Sequence, residues 1–223
     1  PGRGHFPTNY LNHVIEYFSE TLRRPALLPD DTFGKGEVAY PLFRLQVGTD
    51  WSWVRPVWHG KGDVPDAMTI EFRPLPAGPT VIDTIANSAL YFGALNYIMH
   101  ENLLEELQNN NEISAVRDNF YKSAKYGMEA KLSWNGEKRT ANSVLQEIYH
   151  YSIKGLELAN INQEDITRYL APIKKRIEKN QSPADWKINL YSSAINQGKT
   201  KEEALAYVVQ KSAEHFKQNI QVV

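Results

Sequence analysis

Apolar positions change their spacing about a third of the way along the chain. Val38-Ala-Tyr-Pro-Leu-Phe-Arg-Leu-Gln-Val47 alternates after Pro41, with Leu45 and Val47 on one side and Arg44 and Gln46 on the other. A period of two predicts a half-buried strand, and Pro41 suits its start or a sheet edge. Gly48-Thr49 breaks the run. Trp51-Ser-Trp-Val-Arg-Pro-Val-Trp58 then predicts a second strand and Ala67-Met-Thr-Ile-Glu-Phe-Arg73 a third. The loop His59-Gly-Lys-Gly-Asp-Val-Pro65 has the character of a hairpin connection, which makes the last two an antiparallel pair. Upstream, Tyr10-Leu-Asn-His-Val-Ile-Glu-Tyr-Phe18 carries apolar residues at helical intervals and predicts one helix.

Beyond Pro79-Thr80 the period becomes 3.6. Ile85, Ala89, Leu90, Phe92 and Leu95 open a helix that runs to about Leu107, and further helices are expected near 115–130, 141–159, 164–179, 184–197 and 201–217. Local chemistry marks several ends. Ser182-Pro-Ala-Asp185 supplies a capping hydroxyl, a proline at the first helical position and an acid in the first turn; Thr200-Lys-Glu-Glu203 is a capping box; Gly198 stops the helix between them. No internal repeat, low-complexity tract or flexible linker interrupts the pattern. The expectation is one α+β domain over residues 1–223, with antiparallel strands within about 39–73 packed with a helical half over about 82–217.

Composition narrows the chemistry. The 223 residues are 42% hydrophobic, enough for a substantial core. Lys plus Arg number 25 against 26 Asp plus Glu, so no overall charge excess points to nucleic acid or an anionic membrane. Lys174, Lys175 and Arg176 share a helix, but acids are interspersed nearby and no aromatic-basic ribbon accompanies them. Cysteine is absent, which removes disulfides, thiolate metal sites and a cysteine nucleophile. No run of about 18 apolar residues and no signal-peptide pattern occurs, so a soluble, cytoplasmic protein is expected. The phosphate loop, the dinucleotide-binding glycine turn, the serine elbow and the zinc helix are all missing from the sequence. The six histidines are scattered singly, His59 beside a strand end being the one of interest, and no i, i+4 pair offers a metal clasp.

Glu71 and Arg73 stand two apart in a strand pattern whose neighbours Ile70 and Phe72 are apolar, so a carboxylate and a guanidinium share one face of a sheet. Such a pair is either a solvated polar face with a cross-strand ion pair or, in a closed cleft, a hard-cation ligand beside a phosphate-binding fork. Spacing alone leaves both open. Similarly, Trp51, Trp53 and Trp58 suit a buried strand face, Arg55 can pair with an acid at a sheet end, Asn119 can cap a helix, and Gly127 can permit close packing.

Four collinear segments carry a resemblance. Gly48-Thr-Asp-Trp-Ser-Trp-Val-Arg-Pro56, Thr69-Ile-Glu-Phe-Arg73, Asn119-Phe-Tyr-Lys-Ser-Ala-Lys-Tyr-Gly-Met128 and Ser182-Pro-Ala-Asp-Trp-Lys-Ile-Asn-Leu-Tyr191 resemble, in order and spacing, signatures of the type 2 glutamate-cysteine ligases, or carboxylate-amine ligases, over roughly residues 45–215. The resemblance implies a glutamine synthetase-like sheet. It also implies ATP-dependent joining of a carboxylate, typically the γ-carboxylate of glutamate, to an amine through an acyl phosphate. It assigns Glu71 to Mg²⁺, Arg73 to transferred phosphate, and Arg55 to orienting an anionic group. Asn119 and Lys125 become nucleotide contacts, although Lys125 replaces the usual Arg and Phe120 the usual basic residue, which removes a planar fork.

The chain offers one convincing strand carboxylate for a reaction that gathers several around its metals. Asp50, Asp63 and Asp66 are loop candidates, and most other acids have the look of solvated helix faces. The family's remaining acidic ligands lie in an N-terminal half with no counterpart here. These residues are therefore expected to be the C-terminal portion of a catalytic domain, completed by a removed segment, a separate chain or a neighbouring protomer. The competing reading is a non-catalytic helical binding or regulatory module on the same scaffold; nucleic acid and membrane are not expected partners.

Overall fold

The computed structural model describes residues 9–23, 45, 47–48, 52–59 and 67–223. By internal contacts the chain divides into two units, Pro1–Pro74 and Leu75–Val223.

In the first unit, α1 (Val14–Leu22) starts later than its apolar spacing suggests. The residues before it form the cap: Asn12 N–H donates to Glu16 Oε2 at 3.1 Å and Ile15 N–H to His13 Nδ1 at 3.1 Å. Strands β1 (Val54–His59) and β2 (Ala67–Phe72) pair antiparallel, as the sequence pattern predicts, and their register sets Arg55 opposite Glu71 and Val57 opposite Thr69. The expected strand over residues 38–47 is different. Its described members Leu45 and Val47, with Gly48, carry helical backbone. The carbonyls of Val47 and Gly48 both accept from Arg55 Nη1, at 2.9 and 2.7 Å. Successive carbonyls of a strand point to opposite sides, whereas those at the end of a helical turn can converge on one donor. The rest of that expected strand lies outside the described residues.

The second unit is built on α2 (Val81–His100), which packs most extensively against α5 (Ala141–Leu158) and also against α6 (Gln163–Lys179). The α2–α5 crossing is close because Gly93 and Gly155 face each other: a Cβ on Gly155 would lie 1.8 Å from the Gly93 carbonyl oxygen. Ser152 Oγ–H donates to the Leu90 carbonyl at 2.7 Å, and Asn96 Nδ2–H to the Gly155 carbonyl at 2.7 Å. Buried Ile166, Leu170 and Ile173 form the inward stripe of α6.

A buried ion pair ties both ends of this unit together. Asp83, fully buried, pairs with Arg176 and accepts the Val222 N–H at 3.1 Å, while Arg176 Nη1 donates to Asn87 Oδ1 at 3.1 Å. Thr80 Oγ1–H completes the shell around Asp83 at 2.7 Å. Asp83 is therefore not one of the solvated helix-face acids that the sequence suggests, because it finds its partner 93 positions away.

The long helix expected to run to Leu107 is interrupted. It ends at His100, Asn102 adopts a left-handed φ of 55°, and α3 (Leu104–Asn110) starts afresh. Helix α4 (Ile113–Tyr126) ends sooner than the expected 130, because Gly127 takes φ 56° and ψ −135°, a conformation reserved for glycine. A 3₁₀ turn (Gly127–Glu129) then leads into a hairpin of β3 (Lys131–Trp134) and β4 (Glu137–Thr140), which the helical reading overlooked. Ala130, Leu132 and Val144 form a small core beneath it. Helices α7 (Pro183–Asn196) and α8 (Lys201–Gln218) pack together and carry both capping boxes at Ser182 and Thr200. The α+β expectation holds: the described residues are mostly helical, with two small antiparallel sheets among them. Among the described residues no helix is long and apolar enough to cross a membrane.

Candidate functional site

The β1–β2 ladder sets one polar face. Its register puts Arg55 directly across from Glu71, and the two-residue period brings Arg73 onto the same side. Glu71 Oε2 accepts from Arg55 Nε at 2.6 Å and lies 3.2 Å from Arg73 Nη2. Arg73 N–H donates to the Trp53 carbonyl at 2.9 Å, which extends the ladder past the end of β2. One carboxylate thus bridges two guanidinium groups.

The two arginines differ in what remains for a ligand. Arg55, 13% exposed, is fixed by Glu71 and by the two carbonyls at Val47 and Gly48. Arg73, 28% exposed, has Glu71 as its side-chain partner among the described residues, and no backbone carbonyl among them accepts from its guanidinium. The hydrogen bond from Arg55, reinforced by Arg73 against a modest desolvation, holds the Glu71 carboxyl below its ordinary pKa. The cluster carries a net positive charge and suits an incoming phosphate or carboxylate, which a planar guanidinium can grip through two parallel N–H bonds.

A sequence profile completes the picture. The profile described as glutamate-cysteine ligase family 2 matches residues 23–211. The chain belongs to glutamate-cysteine ligase family 2. This is a family of ATP-dependent carboxylate-amine ligases. Searches of curated proteins and of solved structures gave no significant match.

In this glutamate-cysteine ligase family 2 chain, the residues singled out by motif fall into two groups. Arg55, Glu71 and Arg73 converge in the first unit, and Asn119 and Lys125 belong to the second. Asn119 lies inside α4 and is not a cap. Its Nδ2–H donates to the Ser133 carbonyl at 2.6 Å and its Oδ1 accepts the Ser133 N–H at 2.8 Å, so the side chain acts as a short strand edge for β3. Lys125 is exposed in the last turn of α4, with Nζ 4.9 Å from the Tyr126 ring centroid. His59 Nε2 and Thr69 Oγ1 are 2.9 Å apart across the ladder, an ordinary surface contact.

The described residues do not by themselves fit Mg²⁺. Among them no three His, Cys, Asp or Glu side chains gather to hold a metal ion. The Oε2 of Glu71 already faces two cations, and a hard divalent ion takes six or more oxygen ligands. Asp50, Asp63 and Asp66, the loop acids singled out by sequence, lie outside the described residues.

Two polar clusters were missed by sequence reasoning. Glu147 on α5 accepts from Trp134 Nε1 at 3.0 Å and Tyr151 Oη at 2.8 Å and pairs with Arg139, binding the β3–β4 hairpin to the helix. Burial works to raise the Glu147 pKa, and the bonds from Arg139, Trp134 and Tyr151 outweigh it and lower the pKa. Burial, followed by the Glu147 contact, pushes the Tyr151 hydroxyl up to about 12. The other cluster is a lysine-lined cavity between α4 and the hairpin, with Lys122, Lys131 and Lys138 on its wall. An Asn-Gly turn at residues 135–136 was the available signal for both, since it announces the hairpin on which they depend.

Proposed function

We propose that this chain takes part in ATP-dependent amide formation between the γ-carboxylate of glutamate and an amine. Both units are taken as parts of one catalytic domain on the glutamine synthetase-like frame that the resemblance implies. The γ-phosphoryl group passes from ATP to the carboxylate, giving ADP and an acyl phosphate. The amine nitrogen then attacks the acyl carbon, inorganic phosphate leaves, and the ammonium loses its proton. ATP activates the acid, so no protein nucleophile is required, and catalysis rests on positioning and charge stabilisation.

The observation that carries this reading is the convergence of three motif residues on one strand face. Glu71 holds the two guanidiniums in fixed orientation; Arg73 stabilises the transferred phosphate; Arg55, more completely anchored, orients an anionic group at the same face. Family membership over residues 23–211 supports the reaction class. Mg²⁺ is the metal implied by the family, and Glu71 is the carboxylate that would offer it an oxygen, with further oxygens coming from elsewhere. A complementary acidic half, from another segment, a separate chain or a neighbouring protomer, is the natural source of those oxygens.

The test is incubation of the chain, alone and with the complementary half of a family member, with ATP, Mg²⁺, glutamate and a panel of amines. ADP release and amide formation are followed by mass spectrometry. Amide formation that drops at least about tenfold in Arg73→Ala supports the assignment. A chain that binds no nucleotide and forms no amide under either condition is the non-catalytic scaffold, and the ligase reading is then wrong.

A further inference from the structure

Helix α2 is apolar on two opposite sides. One side, with Ala86, Gly93 and Ala94 buried, packs on α5 and α6. The other carries Val81, Ile85, Ser88, Phe92, Leu95 and Met99, which follow one another at intervals of four, three, four, three and four. At about 100° per residue these six fall within roughly 80° of helix surface, opposite the packed side. The five apolar members are between 41% and 62% exposed, Phe92 most of all. No charge accompanies them. The one acid of α2, Asp83, is buried against Arg176, and His100 stands at the helix end. A helix that is apolar all round belongs inside an assembly, and a contiguous exposed apolar patch marks an interaction site.

The spacing says what covers this face. Alternating fours and threes form the seam along which two helices pair. The six positions are also symmetric about Leu90, three on each side at matching distances. In an antiparallel pair with its two-fold axis at the level of Leu90, Val81 therefore faces Met99 of the other copy, Ile85 faces Leu95 and Ser88 faces Phe92. The largest side chain of the stripe meets the smallest, so the layers interdigitate at comparable volume. Parallel pairing would set Phe92 on Phe92 and Ser88 on Ser88, a clash followed by a gap. Ser88 Oγ–H already donates to the Thr84 carbonyl at 3.2 Å, so its hydroxyl enters a dry interface satisfied. Two uncharged faces meet without repulsion, and nothing on this one favours a charged partner. Covering the apolar members buries on the order of 1,000 Å² over both copies, the lower bound for a specific interface, which fits a reversible pair.

We propose that the outer face of α2 is a homodimer interface, closed by α2 of a second copy lying antiparallel across it. The inference does not rest on the ligase reading.

The experiment is sedimentation velocity of the full chain over a dilution series, where a reversible monomer–dimer equilibrium is expected. Phe92→Glu and Leu95→Lys each bury a charge in the apolar layers and should weaken dimerisation at least about tenfold. Both side chains are exposed in the single copy, so circular dichroism melts of the dilute variants should match the parent. The chain lacks cysteine, so His100→Cys accepts a single spin label whose distance to its copy reads the orientation. His100 is ten positions from the axis; at 1.5 Å per residue antiparallel labels lie at least about 30 Å apart, and parallel ones under about 20 Å. A chain that stays monomeric at every concentration, or a dimer that both variants leave intact, overturns the interface, and the shorter label distance overturns its antiparallel register. A monomer whose melting temperature falls in Phe92→Glu has this face covered within its own chain. A monomer that instead pairs through the face with the complementary half of a family member has that half as its occupant. Both results overturn the second copy.

Discussion

Gly155→Ala opposes two effects of known size. In a free helix the change stabilises by about 1 kcal/mol, because alanine is the better helix former. At the α2–α5 crossing the new methyl would sit 1.8 Å from the Gly93 carbonyl oxygen and 2.8 Å from the Tyr97 nitrogen. Both are backbone atoms, so no side chain can swing aside. The shortfall against an ordinary 3.4 Å contact is about 1.6 Å, and the helices must part by a comparable distance. Overpacking of this kind costs about 1–3 kcal/mol. Separation also strains the Asn96-to-Gly155 hydrogen bond, worth about 1 kcal/mol. The expected net loss is about 2 kcal/mol, and at about 2–4 °C per kcal/mol for a chain of this size Tm falls by about 4–8 °C. Urea denaturation followed by helical circular dichroism reads the same quantity through its midpoint. Gly48→Ala is the control, since a Cβ there meets nothing within 4 Å among the described residues and should leave stability nearly unchanged. If Gly155→Ala were as stable as the parent chain or more so, the close crossing would be wrong.

Three other perturbations probe separate parts of the chain. Asp83→Asn, by leaving Arg176 buried without its anion, should cost about 3–5 kcal/mol in chemical denaturation, and Asp83→Leu with Arg176→Met should recover much of it; equal losses in both would refute the ion-pair account. The lowered Glu71 pKa places its small stabilising contribution above the ordinary glutamate range, with loss as pH falls through the depressed folded value; carboxyl NMR should give a midpoint below that of an ordinary glutamate that rises in Arg55→Ala, and an ordinary midpoint would contradict the triad. Asn119→Ala should speed hydrogen exchange at the Ser133 amide and cost about 1–3 kcal/mol, whereas unchanged exchange with weakened nucleotide binding would return Asn119 to a ligand role.

Features that a few neighbouring residues decide were legible in the sequence. Ser182 with Asp185 and Thr200 with Glu203 form their boxes from side chains three positions apart, so the helix starts they mark could be read directly. The β1–β2 pairing was legible for the same reason, since alternation and a glycine-rich loop both favour a hairpin. Where a single residue overrides a periodic run, periodicity misled. Asn102 and Gly127 each end a helix by taking positive φ while the apolar spacing continues beyond them. Asn135 and Gly136, at φ 49° and 78°, make the two-residue turn of the second hairpin, a signal present in the sequence in the short stretch left unassigned between two expected helices.

Charges were the least legible, because their role depends on partners distant in the chain. Asp83 and Arg176 occupy ordinary helical positions, and only the fold shows that each exists to neutralise the other and to hold Val222. Arg55 and Arg73 show the same dependence within one site. Both lie beside the same carboxylate, yet Arg55 spends further donors on backbone carbonyls while Arg73, among the described residues, has Glu71 alone as partner of its side chain. Loss of Arg55 therefore removes both the pairing with Glu71 and the anchor for the Val47–Gly48 carbonyls, disturbing local structure together with any ligand contact. Loss of Arg73 removes one ion-pair contact and a half-buried guanidinium, leaving the ladder bond to Trp53 in place because it belongs to the backbone. That asymmetry makes Arg73, among the described residues of this face, the position at which anion recognition can be separated from folding.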